Sequence, residues 1–232
     1  MITGLAYDGT HRLLFACGAW KSNGFVFDVG TSKLVATIEF PSGSMLNSVA
    51  LRNQTAFFTD SKAARFFRLP LTAEGLPAGT PEEVKLSGDF QYVESAEDVN
   101  ANGIVALPDS EFLLIINSAN GVLYRVNADS GVATAVDVDA GPILYGDGLS
   151  WDEGQLYVVQ NGPAGKVLSF DLNSDFTSAT LKDSISDPRF IAPSSAAKMG
   201  QSLWVVNSRL TEIFHGAAEP DDEFNLVRVE LP

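Results

Sequence analysis

The chain is poor in the residues that build soft-metal and thiol chemistry. Its 232 residues include one cysteine, Cys17, and two histidines, His11 and His215. A single cysteine excludes an internal disulfide and any zinc site built from several thiolates. Two scattered histidines are a thin supply for an imidazole-rich centre or a Ser-His-Asp set. A metal site here would therefore rest on oxygen ligands, the preference of a hard cation such as calcium. Cys17 itself lies in "LLFACGAW", the surroundings of a buried small hydrophobe. Basic residues are also few: 15 Lys and Arg against 29 Asp and Glu, a net charge of -14. Such a surface repels phosphate backbones and anionic lipid, so neither nucleic acid nor a membrane is an expected partner. No apolar run approaches the roughly 20 residues that span a bilayer, and helical spacing of apolar residues is absent throughout.

Short, strongly apolar strands are present instead, within a composition that is 45% hydrophobic and 19% charged. Aligned, one run per unit reads "RLLFACG", "TAFFTDS", "FLLIINS", "QLYVVQN" and "SLWVVNS". These runs are rich in β-branched and aromatic residues and end in a small or polar one. Each is preceded by a milder strand of small residues: "ITGLAYD", "NSVALRN", "NGIVALPD", "DGLSWDEG" and "SSAAKMG". A third strand follows ("GFVFDV", "RFFRLPL", "VLYRVN", "KVLSFDL" and, after a longer loop, "NLVRVEL"), and often a fourth, more polar one. Four strands repeating every 45 to about 55 residues define β-propeller blades. The expectation is one all-β domain over 1-232, with blades at about 2-43, 44-88, 98-139, 143-187 and 188-232. Residues 72 to 101 and the acidic stretch 210 to 224 break the rhythm as long loops, which on such folds can cover the mouth of the channel.

In a propeller the first strand of each blade lines the central channel, so equivalent positions of distant repeats can meet at the axis. Those positions hold Thr3, Asn47, Asn102, Asp147 and Ser194. Three of them offer an amide or carboxylate oxygen, the ligand set calcium prefers. Singly, Asn102-Gly103 and Asp147-Gly148 are ordinary turn dipeptides; their recurrence in register points to a shared site.

The stretches "MLNSVALRNQTAFFTDS", "NANGIVALPDSEFLLIINSANGVLYRVNADSG", "GDGLSWDEGQLYVVQNG" and "DPRFIAPSSAAKMGQSLWVVNSR" resemble successive blades of the senescence-marker-protein (regucalcin), gluconolactonase and luciferin-regenerating-enzyme family. The resemblance implies a propeller of the six-bladed type, with about five blade repeats here and the first blade lacking, and a divalent cation, calcium by its ligand set, in the channel. It implies that Asn47, Asn102 and Asp147 are three of four metal ligands, with Asp147 also the catalytic acid-base residue. The family's fourth ligand, a first-blade glutamate, has no counterpart. Nor does the arginine of sugar-lactone members, where Met45-Leu46 stands. Met45, Leu46 and Tyr145 would then form a more apolar mouth, and Arg209, next to Asn207, would hold an anionic group. Asp60, Asn117 and Asn161 recur at strand ends, which suggests turn hydrogen bonding.

Three functions follow as expectations. The first is a divalent-metal-dependent hydrolase of a lactone or another ester, acting on a small molecule. The second is a non-hydrolytic propeller enzyme of specialised metabolism, a cyclase or condensing type. The third is a ligand-binding or degenerate propeller, with self-association through the open edges. The cytoplasm is the expected compartment for the chain as it stands, because it opens without a signal peptide; secretion is expected if an upstream blade and leader belong to it.

Overall fold

The computed structural model describes residues 1-95, 99-162, 164-209 and 224-231. Among these, every regular element is a strand. The first sheet holds β1 (Leu5–Asp8), β2 (Leu13–Cys17), β3 (Asn23–Asp28) and β4 (Lys33–Glu39) in that order. The second holds β5 (Leu46–Arg52), β6 (Thr55–Asp60), β7 (Arg65–Pro70) and β8 (Glu82–Lys85). A two-residue strand, β9 (Ser87–Gly88), precedes the third sheet of β10 (Ala101–Ala106), β11 (Phe112–Asn117), β12 (Val122–Asn127) and β13 (Val132–Ala135). Another short strand, β14 (Asp137–Val138), precedes the fourth: β15 (Gly146–Asp152), β16 (Gln155–Gln160), β17 (Lys166–Leu172) and β18 (Ser178–Ile185). The fifth sheet has three strands, β19 (Pro193–Met199), β20 (Ser202–Asn207) and β21 (Asn225–Glu230). These are five meandering antiparallel blades, and the six-bladed expectation is corrected to that number. The acidic segment 210-223 lies outside the described residues.

The second strand of a blade is buried on both faces, so its sequence is a continuous apolar run rather than an alternating one. In β6 and β11 five consecutive side chains are buried. Each face packs on the neighbouring sheet. Phe15 and Val26 meet Phe58 and Phe67 between the first and second blades, and Phe57 and Phe66 meet Leu113 and Ile115 between the second and third. Ile116 and Leu123 meet Val158 and Phe170 between the third and fourth, and Tyr157 and Val167 meet Leu203 and Val205 between the fourth and fifth. Five blades thus share four apolar cores.

The fourth strands depart from the sequence reading. "EEVKLSG" and "GVATAVDV" each divide between two blades. Their last residues cross over and pair in parallel with the next sheet's edge, Ser87–Gly88 on β13 and Asp137–Val138 on β18. Cys17 is fully buried, and burial pushes its thiol up, as expected of a core residue.

Candidate channel site

Four of the five innermost strands, β5, β10, β15 and β19, carry a bulge at the channel residue. In β5, Leu46 pairs with Asp60 and Val49 with Phe58, so Asn47 and Ser48 together face Thr59. The same slip sets Asn102-Gly103 into β10 and Asp147-Gly148 into β15, and leaves Ser194 as the extra residue of β19. A bulge kinks the strand and re-aims its side chain. Asn102-Gly103 is therefore strand, not turn. Its glycine permits contact between blades: a Cβ on Gly103 would lie 2.2 Å from the main-chain oxygen of Asp147. The next bulge repeats the contact, since a Cβ on Gly148 would lie 2.6 Å from the carbonyl oxygen of Ser194.

Behind the bulges of β5 and β10 runs a relay of hydroxyls from the residue that follows the second strand of the blade. The Asn47 amide donates to Ser61 Oγ at 2.9 Å, and Ser61 donates to the Ala101 carbonyl at 2.8 Å. Asn102 Nδ2 donates to Ser118 Oγ at 2.9 Å, and Ser118 donates to the Gly146 carbonyl. Thr59 fills the bulge itself, accepting from Ser48 N at 3.0 Å and donating to the Asn102 carbonyl at 2.7 Å. On the first blade, Thr3 Oγ1 donates to the Leu46 carbonyl at 2.8 Å. With each amide nitrogen fixed in this way, the side-chain oxygens of Asn47 and Asn102 meet no donor among the described residues.

Asp147 is the only ring residue with a charge to lose. Its carboxyl accepts from Asn161 Nδ2 at 2.8 Å and is hydrogen-bonded by the Asn102 side chain. Burial is the stronger influence and pushes its pKa up to about 7, against the two amides that favour the anion. The structure thus brings Asn102 and Asp147 into direct contact, and sets Asn47 one relay away through Ser61 and the Ala101 carbonyl. All three are buried, at 8%, 6% and 9% exposure for Asn47, Asn102 and Asp147. Among the described residues no group of three or more His, Cys, Asp or Glu gathers. The ring is built on amides around a single carboxylate.

The expected mouth residues divide. Tyr145 is 58% exposed, takes a left-handed backbone (φ 59°), and its main-chain oxygen accepts from Asn161 N. It stands two residues from Asp147 in sequence. Met45 is 4% exposed, and its amide is held by Asp60. Leu46 is likewise fully buried. Arg209 follows Ser208 at the same end of the fifth blade as Asp147 on the fourth.

Asp60 and Asn117 do tie turns. Asp60 accepts from Met45 N and Lys62 N and pairs with Arg65 at 2.9 Å; Asn117 accepts from Ala119 N. Asn207 belongs with them, accepting from Ile191 N. Asn161 does not, because β16 ends at Gln160, one residue earlier. It is a site residue that the strand-end reading missed. The aligned runs carried the signal, for "QLYVVQN" puts Asn161 in the column of Ser61, Ser118 and Ser208, whose hydroxyls form the relay.

Five sheets arranged around a channel lined by their first strands define a β-propeller. No protein-family model matches the sequence, and no curated protein matches it. Solved structures share the fold. The β-propeller domain of Swd1 from Myceliophteria thermophila matches with a TM-score of 0.62 at 14% identity, over 89% of this chain and 66% of that one. Virginiamycin B lyase from Staphylococcus aureus matches at 0.60 and 16% identity, over 88% of this chain and 62% of its own. The PQQ-bound aldose sugar dehydrogenase of Streptomyces coelicolor matches at 0.58 and 14% identity, over 99% of this chain and 93% of that one. The chain thus spans less than two thirds of the lyase. At these identities the likeness is one of fold.

Proposed function

We propose that the protein is a divalent-metal-dependent hydrolase of a lactone or another ester, with Asn47, Asn102 and Asp147 as the cation's protein ligands. One observation supports the reading: Asn47, Asn102 and Asp147 are buried at equivalent bulges of three successive inner strands, and the Asn102 side chain hydrogen-bonds the Asp147 carboxyl. The donor set fits a hard cation. The Asn47 amide donates to Ser61 and the Asn102 amide to Ser118, and neither side-chain oxygen meets a donor among the described residues, so both oxygens are left for coordination. The buried carboxylate has amide neighbours but no basic group among those that shift its pKa, so a cation would supply the compensating charge. When bound, a divalent ion supplies Lewis acidity towards a substrate carbonyl.

The chain's own residues do the rest. Asp147 would accept a proton from the attacking water, the role that the resemblance implies for it. Asn161 holds its Oδ2 and so fixes the orientation of the acid-base group. Tyr145 flanks the entrance. This assignment follows the resemblance to the regucalcin and gluconolactonase family, in which the six-bladed arrangement would complete the ligand set with a fourth residue.

The test is hydrolysis of a panel of lactones and esters by purified protein, in calcium and in EDTA. Activity that appears with calcium and disappears on chelation, and is lost in Asp147→Asn, is expected. Rates unaffected by EDTA would remove the metal from the mechanism.

A further inference from the structure

Each of the four seams between neighbouring blades is bridged by a basic side chain. Between the second and third blades, Arg52 Nη1 donates to the Phe112 carbonyl at 2.7 Å and to the Leu107 carbonyl at 3.4 Å. Between the third and fourth, Arg125 Nη1 donates to the Asp175 carbonyl at 2.7 Å. Between the fourth and fifth, Lys198 Nζ pairs with Asp152 at 2.7 Å and with Glu153 at 2.9 Å. Between the first and second, the bridging residue is His11. It stands in the β1–β2 turn, where its Nδ1 meets Asp8 Oδ2 at 2.7 Å. From the second blade, the Ala73 carbonyl of the β7–β8 loop accepts a hydrogen bond from its ring. That loop lies directly on the pair: a Cβ on Gly75 would come within 2.8 Å of His11 Nδ1 and 2.9 Å of Asp8 Oδ2. The charged groups facing the ring are Asp8 in its own turn, Glu74 in the loop, and Arg52, which lines the same cavity of about 330 Å3 together with Tyr7. Arg12, the next residue of the turn, acts on Asp28 of its own blade.

We infer that His11 is a proton-operated latch between the first and second blades: as imidazolium it ties the β1–β2 turn to the β7–β8 loop, and on losing its proton it lets that loop loosen. The other three bridges do not switch, because arginine and lysine keep their charge far above neutral pH. Histidine is the side chain that titrates near neutrality. The bond to Asp8 favours the cation most, and against burial the charges of Asp8 and Glu74 and the Ala73 carbonyl add to it, so the imidazole is held above its ordinary 6.5. Without the proton, an uncharged ring faces two carboxylates and a carbonyl. The latch is therefore fully made below about 6.5 and lost as pH rises through the raised folded value. On the acid side it extends below 3.8: burial opposes the Asp8 anion, but the His11 bonds and the Thr10 amide hold its carboxyl under that value. Leu71 and Leu76 stay packed on the core of this seam at every pH. The proton thus sets how firmly the seam is closed, not whether the blades fold. The inference stands apart from the hydrolase reading.

The test follows the proton and the seam separately. The His11 imidazole is titrated by NMR, its signal assigned by its disappearance in His11→Gln. The seam is followed by amide hydrogen exchange, corrected for the intrinsic effect of pH on exchange and referred to β11, which reports opening of the whole molecule. Protection in β1, β2 and residues 71-76 is expected to fall about five-fold relative to β11 between about pH 6 and about pH 8.5. Its midpoint should coincide with that of the imidazole and lie above 6.5. In His11→Gln the same segments should exchange at the native high-pH rate throughout. Glu74→Gln, at an exposed loop position, should move both midpoints down together. A His11 midpoint at or below 6.5 overturns the inference. So does protection that stays level across the range, or a His11→Gln protein that keeps the native response to pH.

Discussion

Asp147 is a carboxyl placed where burial opposes its charge and two amides support it. Its raised pKa has a definite consequence for stability. Below about pH 4 the group is protonated folded and unfolded alike, and contributes no difference. Between about 4 and about 7 the unfolded chain has released the proton while the folded one retains it, so unfolding free energy falls as pH rises. Above about 7 the loss is complete, on the order of 4 kcal/mol. In EDTA, denaturant titrations of the native protein are expected to show this decline, and Asp147→Asn to flatten it. Calcium at pH 8 should recover stability in the native protein alone. Parallel pH profiles for the two proteins would mean that the carboxyl titrates as a solvated group. The equivalent placement of Asn47, Asn102 and Asp147 on their inner strands was legible in the sequence because each recurs at a fixed place in a repeat. Asn161 was hidden because it stands one residue past the strand end, in the column of Ser61 and Ser118 and not in that of Asp60 and Asn117.

At the scale of the element, the bulged inner strand is the functional unit. Thr59 secures it, with one hydroxyl joining Ser48 of its own blade to the Asn102 carbonyl of the next. Thr59→Val keeps the shape but removes both bonds. The expected cost is about 1–3 kcal/mol in unfolding free energy. Calcium affinity should also weaken, because the bulges of β5 and β10 would lose their shared register. A variant that is destabilised yet binds calcium as the native protein does would show that the hydroxyl serves the fold alone. The strands themselves were readable. Second strands are apolar without interruption because both faces are covered, and "AFF" or "LLII" bounded by turn residues has few other meanings. The bulges were not readable, since an extra residue in a strand of small side chains leaves no period to detect. The crossing tails at Ser87–Gly88 and Asp137–Val138 were missed for a related reason: two-residue pairings carry no pattern, and each looks like the end of the strand before it.

For the whole molecule, the count of blades followed from the repeat, while the state of the ring did not. Four cores for five blades is a property of how the ends meet, and no local sequence pattern reports it. The exposed apolar residues of the first and fifth blades, Leu5, Tyr7, Met199 and Leu226 among them, are ordinary blade-face positions that here lack the neighbour their counterparts have.

The parallel tails that join the second blade to the third, and the third to the fourth, make the middle of the molecule a laced unit. The first and fifth blades are held by one core each and by no such lacing among the described residues. Amide hydrogen exchange should register this as a gradient. Protection is expected to be greatest in β11 and β16 and to fail earliest in β1 to β4 and β19 to β21, with the outer blades opening while the centre stays closed. Uniform protection across all five blades would mean that the molecule opens only as a whole.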